Sequence, residues 1–105
     1  MATKVLTTKI LHPYKVHTED DGDVDQPVIE ISRNGKEQVT WFSKKGAFIA
    51  FASPDGSPFH DNTFQIPAGG SVSSGPARSN AEYKAYKYAV VGRIGVNDPK
   101  VIIKP

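Results

Sequence analysis

An all-β domain built as a two-sheet sandwich is the fold the sequence predicts, and three observations carry that prediction. Runs rich in Val, Ile, Phe, Tyr and Thr recur at short intervals, each closed by Gly, Pro, Asn or Asp, the rhythm of strands joined by turns. No window sustains a helical period. The best one, Ser79 to Tyr88, slides into Tyr86, Tyr88 and Val90 at a spacing of two and leaves room only for a helical turn near Asn80 to Glu82. The chain of 105 residues has the size of one domain with one modest core, so residues 1–105 are read as a single unit without linker, repeat or low-complexity tract.

Taken in order, the first strand is expected at Val5 to Leu11 or Tyr14 to His17. A hairpin follows over Val28 to Phe42, turned at Asn34-Gly35, two residues that tolerate positive φ. A two-residue turn would set Ile31 opposite Gln38. A three-residue loop, Asn34-Gly35-Lys36, sets Ile31 opposite Val39 and Ile29 opposite Trp41, keeps the apolar face intact and is preferred; Glu30, Ser32, Gln38 and Thr40 then face water. Phe48 to Phe51 is the next strand, opened by Lys44-Lys45-Gly46 and closed by the turn cluster Ser53 to Pro58. Phe64 to Ile66 is a short strand ahead of Pro67-Ala68-Gly69-Gly70. Ser71 to Arg78 is extended and polar and therefore an edge; Tyr83 to Val91 is the longest late strand, and Val101 to Lys104 closes the domain. The core expected from these faces is Ile29, Ile31, Val39, Trp41, Ile49, Phe51, Phe64, Ile66, Tyr86, Tyr88 and Val90.

Composition removes several functions. Lys and Arg number 13 against 11 Asp and Glu, a net charge of +2 that demands no polyanionic partner. The acids are concentrated between Glu19 and Asp25, which leaves the rest of the chain mildly basic. The absence of cysteine removes disulfides, thiolate metal sites and thiol nucleophiles together. Met1 to Leu11 lacks the apolar run of about 7 to 15 residues that a signal peptide needs, and no stretch approaches the ~20 apolar residues of a membrane span. A cytoplasmic protein is expected, with a mature secreted or periplasmic domain as the alternative, and no membrane association.

From Val39 onward the order of segments resembles that of the cupredoxins, the Greek-key sandwiches that hold blue copper. Val39-Thr40-Trp41-Phe42-Ser43-Lys44 resembles their V-T-W/F-x-N-K strand, and Ala47-Phe48-Ile49-Ala50-Phe51 resembles the segment that begins with their first copper-binding histidine. Ile66-Pro67-Ala68-Gly69-Gly70-Ser71 is similar to the family's L/I-x-x-G-x-S/T turn, and Tyr86-Lys87-Tyr88-Ala89-Val90 to the Y-x-Y-x-C strand that ends on the ligand cysteine. The likeness covers Ile29 to Lys104 and implies a single Greek-key sandwich of cupredoxin-like type, with an immunoglobulin- or fibronectin-like sandwich as the competitor. The ligands are missing. Ala47 stands at the first histidine, Val90 at the cysteine, and Val91-Gly92-Arg93-Ile94-Gly95-Val96 supplies neither the second histidine nor a methionine. A blue-copper site needs two imidazoles and a thiolate in a fixed arrangement, so copper electron transfer is not expected and no cofactor is implied.

Other constellations dissolve on inspection. Asp21-Gly22-Asp23-Val24-Asp25 imitates the first half of an EF-hand loop, but Gln26 stands where glycine is required and Ser32 where the bidentate glutamate should be; a solvated acidic loop is expected rather than a weak cation site. His12, His17 and His60 lack the spacing of a metal site. The serines lie in Gly- and Pro-rich loops without a nucleophile elbow, and no triad can be assembled. Tyr83 to Tyr88 interleaves aromatics with bases, as single-strand nucleic-acid binders do, yet the spacing of two puts Tyr86 and Tyr88 with Val90 in the core, so nucleic acid is not expected as a partner. Gly69-Gly70-Ser71 precedes an extended stretch, whereas phosphate loops feed a helix.

A scaffold without reactive groups reads as a non-catalytic binding or assembly module, with a protein as the expected partner. The expected contact surface is the set of loops at which the resemblance places copper: Ala47, Pro58, Phe59, His60, Gly92 and Arg93. The alternative is a structural subunit that self-associates through a sheet edge such as Ser71 to Arg78 into an oligomer or filament.

Overall fold

In the computed structural model, residues 14–19, 23–51, 56–92, 96–97 and 99–105 are described. These residues form ten strand segments and no helix: β1 (Lys15–Thr18), β2 (Val28–Ser32), β3 (Thr40–Ser43), β4 (Ala47–Ala50), β5 (Thr63–Ile66), β6 (Gly70–Ser73), β7 (Ala85–Lys87), β8 (Ala89–Val91), β9 (Val96–Asn97) and β10 (Lys100–Lys104). One layer has the order β1-β3-β6, with β1 parallel and β6 antiparallel to β3. The opposite layer consists of β2-β10-β7 and β5-β4-β8-β9. These two sheets run into each other because only Tyr88 separates β7 from β8, and its N–H donates to the Pro99 carbonyl at 2.9 Å.

The period-two faces are as expected. All eleven residues assigned to the core are buried, and they are joined by Val16, Val24, Phe59, Ala77, Ala81, Val101 and Ile103. Tyr86, Tyr88 and Val90 point inward while Ala85 and Lys87 are exposed. Trp41, fully buried, is ringed by Phe51, Phe59, Phe64 and Tyr88 at centroid distances of 5.3 to 6.5 Å. Its indole N–H donates to the Tyr88 hydroxyl at 3.2 Å, so the polar atoms of both rings are satisfied inside the core.

The hairpin over Val28 to Phe42 does not form. A tight turn is present, closed by the Lys36 N–H on the Arg33 carbonyl at 3.1 Å, but β2 pairs with β10 in parallel, Ile31 opposite Ile103, and β3 pairs with β1 and β6. The chain crosses between layers at this turn, so Ile31 and Val39 belong to different layers of the sandwich. Nor does the positive φ fall on Asn34 or Gly35: Lys36 takes it, at 55°. The Ser32 hydroxyl, which accepts from Gly35 N–H at 2.8 Å, and the Glu37 carboxylate, which accepts from Ser32 N–H at 2.6 Å, hold this conformation. Of the two proposed first strands, Tyr14 to His17 is realised as β1; Val5 to Leu11 lies outside the described residues. The polar edge is shorter than expected, ending at Ser73, and in place of a helical turn over Asn80 to Glu82 there is one turn at Ser79-Asn80, closed by the Ala81 N–H on the Arg78 carbonyl at 3.0 Å.

Candidate functional site

β3 alternates Thr40 and Phe42 outward with Trp41 and Ser43 inward. Phe42 therefore stands half-buried on the outer face of its layer, opposite His17 on β1 and Ser71 on β6. The His17 imidazole stacks on the Phe42 ring with centroids 4.9 Å apart and planes 16° from parallel. Asp25 fixes this arrangement by taking the His17 N–H on Oδ1 at 2.9 Å and Nδ1 on Oδ2 at 3.1 Å. Thr18 donates its hydroxyl to the Phe42 carbonyl at 3.0 Å.

At the end of β3 the chain turns through Lys44-Lys45-Gly46. Gly46 N–H donates to Ser43 Oγ at 2.9 Å, and Gly69 N–H from the β5–β6 turn donates to the Ser43 carbonyl at 2.9 Å. The result is an open groove of about 530 Å³. Phe42 and Ser43 form its floor, His17 to Glu19 one wall, Gly69 and Gly70 the other, and the exposed Lys44 and Lys45 its rim. With the Lys15 ammonium 6.0 Å from the Phe42 ring centroid, and Lys44 and Lys45 outnumbering Glu19 in the lining, the groove suits an anionic ligand with an apolar part.

The six residues expected to share one contact surface do not share one. The strand registers place Ala47 opposite Ile66, and Val91 opposite Phe48, so Ala47 and Gly92 lie at the groove's end of the sandwich. Ala50 pairs with Thr63 at the other end, where Pro58, Phe59 and His60 follow. Pro58 and Phe59 are core residues there, with the Phe59 ring packed edge-on to Trp41, and only His60 is exposed. A Pro-rich turn ordinarily faces water, which hides Phe59 from a pattern-based core; here the Ser57 hydroxyl accepts the Phe59 N–H at 2.8 Å and folds it inward. Arg93 lies outside the described residues. Phe42, Lys44 and Lys45 lie outside the contact surface expected from sequence; their signal in the sequence is the outward phase of Phe42 beside paired lysines.

The copper site implied by the resemblance fails a fit test on this geometry. Ala47 is half-buried, Val90 is fully buried with Ile49 and Asn97 as its strand partners, and the chain has no cysteine. Apolar side chains thus occupy both of these positions. Among the described residues no group of three or more His, Asp or Glu gathers for any metal. In the acidic loop, Asp21 lies outside the described residues, and both Asp25 oxygens are engaged by His17. His17 and His60 stand at opposite ends of the sandwich, and His12 is not among the described residues.

No protein-family model matches the chain, and no curated protein matches it. Among solved structures it is similar to a novel purple cupredoxin from Nitrosopumilus maritimus, at 15% identity and a TM-score of 0.56 over 86% of this chain and 98% of that one. Layer order, register and this likeness agree: the chain has a cupredoxin-like fold, with none of the expected copper ligands at Ala47 or Val90.

Proposed function

We propose that the protein is a non-catalytic, copper-free binding module that receives an acidic polypeptide segment in the groove over Phe42. The observation that carries this reading is the groove itself. It is built on the strand ends next to Ala47, its His17–Phe42 stack is held in place by Asp25, and Lys44 and Lys45 rise on its rim. A preset apolar platform needs little ordering on binding, and flanking lysines steer and select acidic side chains.

A short synthetic Glu-rich peptide with one apolar anchor is the probe. At low salt it should shift the amide resonances of Phe42 to Lys45 and of Gly69-Gly70, and binding should vanish in Phe42→Ser and in the pair Lys44→Glu, Lys45→Glu. Binding that survives both variants, or no shift at low salt, overturns the reading.

A second reading is self-association through β6. Among the described residues, β6 has a sheet neighbour on one side only, whereas the outer edge of β1 is covered by Asp25 and by Gln26, whose amide donates to the Lys15 carbonyl at 2.7 Å. Light scattering across concentration separates the two: a mass that rises with concentration and is reset by a lysine at the exposed edge position, Ser73→Lys, favours the edge.

A further inference from the structure

At the opposite end of the sandwich a second pocket of about 400 Å³ lies between the β2–β3 turn and the segment that follows β6. Its ionisable lining residues are Arg33, Lys36 and His60, joined by the polar Asn34 and Ser79, and among the described residues no carboxylate lines it. The nearby acids are directed elsewhere or lie outside it: Glu37 accepts Ser32 N–H and bonds the Tyr14 hydroxyl, and Asp61 is not part of the lining.

Arg33 is held in place by its contacts, and Lys36 is set by its backbone conformation. Arg33 donates Nη1 to the Ala81 carbonyl at 2.7 Å and Nη2 to the Tyr83 hydroxyl, with its guanidinium 4.2 Å from the Tyr83 ring centroid, so its position is fixed while other N–H donors remain. Lys36 is the one non-glycine residue among those described with positive φ, a conformation that costs energy and brings its side chain to the pocket. His60 is exposed at the mouth.

We infer that this pocket is a binding site for a phosphoryl oxyanion, gripped by Arg33, Lys36 and His60. Guanidinium- and ammonium-bearing residues that line one pocket, with no carboxylate among its described lining residues, are the chemistry that recognises phosphate. The site is separate from the groove over Phe42 and stands or falls independently of it.

Inorganic phosphate is the probe, titrated at constant ionic strength set with chloride. Saturable amide shifts are expected at Asn34 to Lys36, His60 and Ser79, but not at Lys100 or Lys104. The double variant Lys36→Gly, His60→Ala should lose phosphate affinity by about tenfold or more, since two charged or polar donors are removed. Glycine accepts the positive φ freely, so the melting temperature of this variant without phosphate should hold or rise, which separates loss of binding from loss of fold. Lys100→Gln should leave the affinity unchanged. Retention on phosphatidylcholine vesicles containing phosphatidic acid, lost in the double variant, would assign the phosphoryl group to a lipid; phosphate binding without retention assigns it to a soluble molecule. Unchanged affinity in the double variant, or no saturable shift through millimolar phosphate, overturns the inference.

Discussion

The Tyr88 hydroxyl lies in the middle of the aromatic core, and burial pushes its pKa up to about 12; the Trp41 indole N–H bonded to it pulls the other way, and the Asp25 charge adds a smaller push upward. A group raised in the folded state contributes its stability below its unfolded value, near 10, and loses it as pH climbs to 12. The loss amounts to roughly 3 kcal/mol. Chemical denaturation at stepped pH should therefore show stability falling between pH 10 and 12, coincident with tyrosinate absorbance. Tyr88→Phe should remove most of that fall. At neutral pH the same variant strands the Trp41 N–H without its acceptor and should cost about 1–3 kcal/mol. Tyr14 shifts in the same direction, first by burial and then by its hydrogen bond to Glu37 and the charge of that carboxylate.

Among elements, the turn after β3 and the edge of β1 set the shape of the groove. Gly46 sits at φ 92°, and a Cβ there would come 3.4 Å from the Ile66 carbonyl oxygen. Gly46→Ala should cost about 1–3 kcal/mol in urea unfolding through strain in a left-handed backbone. At β1, Asp25→Ala removes the acceptor of the His17 N–H and the anchor of its imidazole. Hydrogen exchange at His17 should quicken by about tenfold while amides in β10 keep their protection, because edge strands open locally. The same elements show where sequence reasoning stops. Alternation assigned every residue expected in the core correctly, since each strand is buried on one face only and the period is local. Asn34-Gly35 pointed to a turn, correctly, and to a hairpin, wrongly. The partner of β2 is β10, some seventy residues away by sequence number, and no turn chemistry reports so distant a neighbour.

Over the whole molecule, the two ends of the sandwich carry different chemistry: an aromatic groove with both signs of charge at one, and at the other a pocket whose ionisable lining residues, among those described, are all basic. The contact surface expected from sequence merged them, because loop position along the chain does not reveal at which end a loop emerges. Once the antiparallel β4–β5 register is known, Ala47 and His60 separate at once. The residues that make the groove become visible only when β1 is laid beside β3, which brings His17 onto Phe42. The arrangement also bears on how the chain reaches its native state. β10 is the latest strand in sequence yet lies in the middle of its sheet, with β2 on one flank and β7 on the other, and it contributes Val101 and Ile103 to the core. Ile103→Ala should therefore cost about 2–4 kcal/mol and leave fluorescence and circular dichroism transitions coincident, as both flanks lose the same support. Half of the sandwich closes only when residues 100–104 pair with strands far away in sequence on both flanks, so refolding should be slow and all-or-none, its rate limited by closing these long loops.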